Sequence, residues 1–218
     1  MTQDKRREFP QWLAFVLAML INSFTIVIIT KADLGVSSLS SVAIILSEIF
    51  PQLSFGTWNI LFQVSLMVSL IVFIKKKPID AIISMLITVV FGLLLDFFRG
   101  LTVGWPVDLW ARILYFTFGF FSLSLGASFF VKCDFPILPL DSFVKDIAVY
   151  LKKEYSKVKT FLDITFVTTT IILSLLVFGK IRLIGIGTIL FALFMGNTMG
   201  IILRIMDVNL VFTKIGRN

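Results

Sequence analysis

Two serine pairs stand at the start of a short apolar segment, directly after a glycine that interrupts the preceding apolar run. Ser37 and Ser38 follow Gly35, and Ser40 and Ser41 come next. A helix beginning here would offer free backbone N–H groups and hydroxyl groups, which together suit an anionic or zwitterionic ligand. Serine is also a preferred residue for capping a helix N-terminus, so simple capping is the competing explanation.

An acidic motif lies beside this break and recurs in the second half of the chain. At an offset of 101 residues, Lys31 falls on Lys132 and Asp33 on Asp134, so that both breaks read Lys-x-Asp. A helix breaker, glycine in one and proline in the other, follows each aspartate by two residues. Each aspartate could bind a cation or a proton, or form an ion pair that marks the end of a span.

Two further polar residues fall within apolar segments. Asp163 lies one turn into the fifth apolar segment, and Asn59 occupies the related place in the second, at an offset of 104 residues. Polar and ionisable groups inside a span usually face the bundle interior or a water path, so both are candidates for a solute or ion path. Asp96 has a simpler explanation as the i,i+3 partner of Arg99.

The composition indicates that these residues belong to an integral membrane protein. Of the 218 residues, 58% are hydrophobic and 15% are charged, whereas soluble domains are about 45–50% apolar and about 25% charged. The chain has no histidine and a single cysteine, so a histidine-based triad or a Cys/His metal site cannot be built within it. We therefore expect no enzymatic activity, no catalytic residue, no metal and no cofactor.

The net charge of +7 has a simple explanation in a membrane protein. The basic residues cluster at the ends of the apolar segments, a pattern that sets topology against the cytoplasmic side and does not indicate nucleic acid. The bias places the N- and C-termini in the cytoplasm. The first apolar segment is too long for a typical signal peptide, and we expect it to remain as a span.

Six apolar segments are long enough to cross a bilayer, and two shorter ones follow the breaks. The long segments are Trp12–Thr30, Phe55–Ile74, Ile79–Phe98, Ile113–Val131, Lys159–Gly179 and Leu183–Leu203. The short ones are Val36–Phe50 and the amphipathic Asp141–Lys153. As a helix, the first short segment would cover roughly 22 Å at 1.5 Å per residue, less than a hydrocarbon core of about 30 Å. It is predicted to be re-entrant, interfacial or a short tilted span, and the second to lie on the membrane surface.

The matching breaks, the order of the spans and the basic turns predict an internal duplication. The expected fold is an all-α polytopic transmembrane bundle of about six spans, in two related three-span repeats that each contain a broken or short helix. The repeats cover about residues 11–98 and 110–206 of a single membrane domain. Three spans per repeat would invert the copies, whereas crossing by both short segments would make them parallel. Paired breaks at corresponding positions point to a transporter binding site.

Several motifs resemble the YczE/YyaS/YitT family of bacterial integral membrane proteins. They are Ala32-Asp-Leu-Gly-Val-Ser-Ser38, the turn Phe55-Gly-Thr-Trp-Asn59, the lysine cluster after the second span, and Gly187-Thr188 before Leu-Phe-Ala-Leu-Phe-Met-Gly196. The second half departs more, with prolines where a Gly/Ser break is expected. The resemblance implies a bacterial plasma-membrane location, and in some members a link to the production of secreted lipopeptide antibiotics. It supplies no catalytic residues.

Three functions fit these observations. The leading hypothesis is a small secondary transporter or exporter, whose path involves Asp33, Ser37, Ser38, Asn59, Asp134 and Asp163. The alternative is a membrane accessory protein that docks a biosynthetic or export complex through the basic surface around Lys145, Lys152, Lys153, Lys157 and Lys159. A third is a substrate-binding subunit that an ATPase energises. The expected partners are the lipid bilayer, a small solute, and a second copy or another membrane protein, without nucleic acid.

Overall fold

A computed structural model describes residues 6–74, 78–133, 139–153 and 155–213 of the chain. The six long helices in these ranges are α1 Gln11–Ala32, α3 Phe55–Ile74, α4 Pro78–Leu101, α5 Leu109–Lys132, α7 Tyr155–Phe178 and α8 Ile186–Asn209. The two short ones are α2 Ser38–Ile49 and α6 Pro139–Tyr150. All six long helices are long and apolar enough to cross a membrane. The predicted all-α, multi-pass membrane bundle is confirmed.

The antiparallel pair of α1 and α5 forms the centre of the bundle. A Cβ atom added to Gly119 would lie 2.5 Å from Ile29 Cγ1, and one added to Gly126 would lie 2.8 Å from the Asn22 amide group. Small residues on the facing side of a membrane helix allow such close approach. The Asn22 amide also donates to the Ala18 carbonyl oxygen at 2.9 Å, which satisfies it within its own helix.

Helix ends meet at one face of the bundle, called face A here. The Lys31 ammonium at the end of α1 donates to the Thr102 carbonyl oxygen just after α4, at 2.6 Å. The Gly56 backbone N–H at the start of α3 donates to Asp96 Oδ1 near the end of α4, at 2.8 Å. Helices α1 and α4 therefore end at face A, and α3 begins there. The i,i+3 pairing expected for Asp96 gives way to this contact because α3 brings unsatisfied N–H groups to the carboxylate.

The opposite face, called face B, collects the ends of α5 and α8. Lys132 and Asp207 form an ion pair there. Strand β1 Arg7–Pro10 pairs in parallel with β2 Leu210–Thr213, a contact that the sequence pattern did not indicate. The last helix extends to Asn209, beyond the predicted Leu203, and β2 begins directly after it.

Each short helix lies between two long helices whose adjoining ends are at the same face. Helix α1 ends and α3 begins at face A, and Trp58 Nε1 of α3 donates to the carbonyl oxygen of Phe50, just after α2, at 3.2 Å. The segment between α1 and α3, which contains α2, therefore enters and leaves the bundle at face A. Helix α6 lies between the end of α5 and the start of α7, and buries Val144 and Ala148 in a cluster with Val158 of α7. It packs onto the bundle instead of lying only on the membrane surface.

The two halves run in opposite directions. Helices α1, α4 and α7 run towards face A, and α3, α5 and α8 run towards face B. Helices α2 and α6 each contain 12 residues and start 101 residues apart. Phe62 of α3 contacts Phe166 of α7, its counterpart at the offset of 104, with ring centroids 5.5 Å apart. A residue that touches its own counterpart marks a local two-fold axis between inverted halves.

Candidate functional site

Helix α2 begins inside the bundle. Ser38 Oγ donates to Asp163 Oδ1 at 2.7 Å, and Asp163 lies eight residues after the start of α7 and fifteen before its end. At 1.5 Å per residue these separations are about 12 Å and about 22 Å. The N-terminus of α2 therefore opens within the membrane-spanning part of α7, and α2 is a half-helix that rises from there to face A.

A cation completes this polar cluster. Lys159 Nζ lies 3.0 Å from Asp163 Oδ2 and 3.3 Å from Oδ1, one turn earlier on the same helix. Asp163 thus accepts one hydrogen bond from a neutral hydroxyl group and an ion pair from an ammonium group. The two side chains are 30% and 34% exposed, so neither is sealed from its surroundings. Charge-assisted hydrogen bonds of this type are stronger than neutral ones.

A second set of hydroxyl groups continues the cluster towards face A. Thr170 Oγ1 donates to Ser41 Oγ at 2.9 Å, and Ser41 Oγ donates to the Ser38 carbonyl oxygen at 2.7 Å. Both Ser41 and Thr170 are fully buried. Because Ser38 pairs with Asp163 and Ser41 with Thr170, α2 and α7 run parallel along this line of polar groups.

The extended segment before α2 is held by the segment that leads into α8. The Val36 backbone N–H donates to the Leu183 carbonyl oxygen at 3.0 Å, and Gly187 N–H donates to Leu34 O at 2.8 Å. Gly35 has φ +120°, and a Cβ atom there would lie 2.7 Å from the Thr188 backbone nitrogen. Only glycine suits this position, because it needs both the left-handed region and the close backbone approach.

Helix α8 therefore starts later than the sequence pattern indicated. Ser174 Oγ donates to the Lys180 carbonyl oxygen and accepts from the Arg182 backbone N–H, at 2.8 and 2.7 Å. These bonds hold the chain in a non-helical conformation up to Gly185, the N-cap of α8. The predicted start at Leu183 is wrong because this side chain and the break occupy the backbone groups that a helix would use.

Asn59, at the position related to Asp163, has a buried amide group with an unsatisfied donor. It is 8% exposed, and its Nδ2 atom has no hydrogen-bond partner. Gln63, one turn later on α3, is 4% exposed, and its Oε1 atom is likewise buried without a partner. Burying an amide group without hydrogen bonds is costly, and both of these groups lie on α3.

The remaining predicted path residues occupy different places. Ser37 is the N-cap of α2, with extended backbone and no capping bond from its side chain. Asp33 ends α1 at face A, where it is 57% exposed and lies 3.2 Å from the Arg112 guanidinium. Asp134 lies outside the described residues. The structure thus brings Ser38 and Asp163 together, with Ser37 adjacent in the chain, and leaves Asp33 apart.

Another ion pair covers the face A end of α2. Arg182 lies 3.2 Å from Glu48 Oε2, outside the six membrane-spanning helices. Burial raises the pKa of the Glu48 carboxyl group, and the nearby Arg182 guanidinium opposes that rise. This pair ties α2 to the segment between α7 and α8.

Sequence reasoning missed Lys159 and Thr170 as members of these polar groups. Lys159 could have been found from its i,i+4 spacing to Asp163. Thr170 has no sequence signal, because its partner is supplied by α2 from the other half of the chain. Within the described ranges, no group of three or more His, Cys, Asp or Glu side chains could hold a metal ion.

The fold and this site define a class: an inverted-repeat, multi-pass membrane protein with a polar cluster where a half-helix begins. The chain matches the model of a family described as "Family of unknown function (DUF6198)" over residues 9–204. Because the match covers most of the chain, the protein belongs to this family. No curated protein and no solved structure matches it.

Proposed function

We propose that this protein is a small secondary transporter or exporter of an anionic or zwitterionic solute. The observation that carries the proposal is the cluster of Ser38, Asp163 and Lys159 at the N-terminus of a half-helix, inside the membrane-spanning part of the bundle. Transporters built from inverted repeats place their solute sites at such discontinuous helices near the bilayer midplane.

The chemistry of the cluster supports a solute with both charges. The Lys159 ammonium group and the free N–H groups of α2 attract a carboxylate or phosphate group. The Asp163 carboxylate accepts hydrogen bonds from an ammonium group. These groups satisfy one another, which keeps them from lying unpaired in the membrane. A zwitterion would replace the internal ion pair with two equivalent ones.

The proposed location is the bacterial plasma membrane, with face B in the cytoplasm. Lys132, Lys152 and Lys153 lie at or next to the helix ends of this face, and the paired strands β1 and β2 adjoin it. The positive-inside rule supports this orientation. The resemblance to the YczE/YyaS/YitT family supports the bacterial assignment.

Transient currents on a solid-supported membrane test this proposal. Liposomes with the purified protein would receive glycine, aspartate or inorganic phosphate as zwitterionic, acidic and mineral-anion probes. We expect a current with at least one probe, lost in Asp163→Asn and retained in the control Asp207→Asn, whose carboxylate lies exposed at face B. Equal currents in Asp163→Asn and the parent would remove Asp163 from the mechanism.

A specific surface favours a second function, that of an accessory protein. The end of α6 exposes Val149, Tyr150 and Leu151 next to Lys152 and Lys153. An apolar patch beside two cations suits docking of an acidic partner at face B. Here Lys152→Glu with Lys153→Glu should abolish co-purification of a partner, whereas Asp163→Asn should leave it unchanged. The transporter proposal predicts the reverse ranking for solute currents.

A further inference from the structure

The contact between α3 and α4 is close enough to involve the two backbones. A Cβ atom added to Gly92 would lie 2.5 Å from Ile60 Cγ1 and 2.8 Å from the Gly56 carbonyl oxygen. One added to Gly56 would overlap the Gly92 carbonyl oxygen. The last two helices of the first half are therefore closed along a glycine-lined contact.

The corresponding helices of the second half, α7 and α8, do not make the equivalent close contact. The offset of 104 between α3 and α7 places Thr160 and Ile164 at the positions of Gly56 and Ile60. Helices α4 and α8 each contain 24 residues and start 108 residues apart, so Gly200 corresponds to Gly92.

The neighbours of these counterparts differ sharply from those in the first half. A Cβ atom at Gly200 would meet nothing within 4 Å. Ile164 is 61% exposed, and with Lys157, Thr160 and Phe161 it lines a shallow open cavity. In the membrane-spanning windows, 17% of α7 and of α8 is buried, against 33% of α3 and 28% of α4. The second half therefore has residues at the equivalent positions, but its two helices do not contact each other there.

A polar latch accompanies the closed pair. Asp96 accepts hydrogen bonds from the Gly56 backbone N–H and from Ser54 Oγ, and so ties the first turn of α3 to α4. The counterpart of Asp96 in α8 is Arg204, which cannot accept a hydrogen bond from backbone N–H groups. The latch therefore exists in one half only, and it favours closure of α3 on α4.

We propose that α7 and α8 close on each other in a second state, with Ile164 against Gly200, while α3 and α4 separate. This inference rests on the proposed function, because such an exchange would switch the access of the Ser38–Asp163 cluster from one face of the bundle to the other. Two halves built from the same helices can adopt each other's packing, and interfaces of this kind switch between discrete arrangements. The Asp96 latch sets which arrangement dominates in the resting protein.

Disulfide cross-linking in membranes tests the exchange. In a Cys133→Ser background, Ile164→Cys with Gly200→Cys should form an intramolecular disulfide under copper-phenanthroline oxidation. The matched control is Ile172→Cys with Gly200→Cys, which keeps the α8 position and moves the α7 position by two turns. Ile60→Cys with Gly92→Cys reports the closed first half. Loss of the Ile60 side chain removes its overlap with the new Cβ atom, although the 2.8 Å approach to the Gly56 carbonyl oxygen remains. We expect a severalfold higher yield for positions 164 and 200 than for the control.

The latch supplies the second arm of the experiment. Asp96→Asn should raise the yield at positions 164 and 200 severalfold and lower the yield at positions 60 and 92. A disulfide at 60 and 92 without one at 164 and 200, with or without Asp96→Asn, would overturn the exchange. Disulfides at position 200 that link only separate copies would assign the open surface to a dimer and also overturn it. Solute currents are measured independently, so transport without the 164–200 disulfide rejects the exchange alone, and the disulfide without transport rejects the proposed function.

Discussion

The two halves of the chain share a frame but differ at corresponding positions of their third helices. In the second half, Asp163 of α7 is bonded to Ser38 and Lys159. In the first half, Asn59 of α3 is buried, and its Nδ2 atom has no partner. The polar chemistry is therefore concentrated on one side of the local two-fold axis, where α2 contributes its N-terminus.

The packing of the last two helices also differs between the halves, and here it is the first half that has the closer interactions. The first half closes α3 on α4 through Gly56 and Gly92, whereas the second half leaves Gly200 without a neighbour. A duplicated fold can thus keep one architecture while one copy supplies a rigid contact and the other a polar site. The half with the charged site is also the half whose last helix has no close neighbour at Gly200.

The largest expected effect is on the closed contact. Gly56→Ala places a methyl group against the Gly92 backbone, which cannot move aside as a side chain could. We expect a loss of stability of about 3 kcal/mol, at the upper end of the usual cost of overpacking. Thermal unfolding in detergent would measure it. Gly200→Ala, the same chemical change at the second-half counterpart of Gly92, should stay within about 0.5 kcal/mol of the parent because nothing lies near that position; equal losses would remove the packing difference.

The second comparison exchanges the polar groups for leucine. Asp163→Leu leaves the Lys159 ammonium group without its partner and should lower the unfolding temperature. Asn59→Leu removes a buried group that has an unsatisfied donor. It should leave the unfolding temperature unchanged or raise it, and the free energy of unfolding should increase by at most about 2 kcal/mol. The two variants are compared in the same detergent at one pH. A decrease for Asn59→Leu as large as that for Asp163→Leu would show that both halves depend equally on these groups.

A smaller effect is expected two turns further along α7, at Thr170. Thr170→Val removes the donor to Ser41 while keeping the shape of the side chain. Ser41 still donates to the Ser38 carbonyl oxygen, so the loss should be about 1 kcal/mol, the net value of one buried hydrogen bond. Urea or thermal unfolding in detergent measures this change. Thr169→Val, at a neighbouring hydroxyl that bonds only within its helix, is the control, and an equal loss there would argue against the α2–α7 bond.

The smallest effect is predicted at face A. Arg112→Ala breaks an exposed ion pair with Asp33, and exposed pairs contribute little. Stability should change by no more than about 0.5 kcal/mol, the usual size for a surface substitution. A clearly larger loss in thermal unfolding would mean that Arg112, which also donates from Nε to the Val107 carbonyl oxygen, has a structural role beyond this pair.

The regular parts of the fold were predictable from local patterns. The Lys-x-Asp breaks located both short helices, and the lengths of the apolar segments identified the six spans. The sequence placed Ser38 and Asp163 in the same candidate solute path but did not predict that they bond to each other. Two residues 125 positions apart meet only through the packing of whole helices. Asp96 was assigned to its neighbour Arg99 for the same reason, since sequence spacing shows contacts within a helix and hides those between helices.

The open surface of the second half was beyond sequence reasoning. Gly196 and Gly200 match a small-xxx-small pattern, which shows that another helix can approach closely and not that one does. The late start of α8 also depends on tertiary contacts, because Ser174 and the break residues take up the backbone groups of residues 180–187.

The central claim is that the N-terminus of α2 opens onto a water path inside the bundle. Labelling of Ser38→Cys with a membrane-impermeant thiol reagent, in a Cys133→Ser background, tests it most directly. In intact cells, Ser38→Cys should react, Thr25→Cys should not, because Thr25 is fully buried, and Lys152→Cys at face B should react only after the cells are opened. Failure of Ser38→Cys to react from either side would contradict the water path, and labelling of Lys152→Cys in intact cells would contradict the orientation.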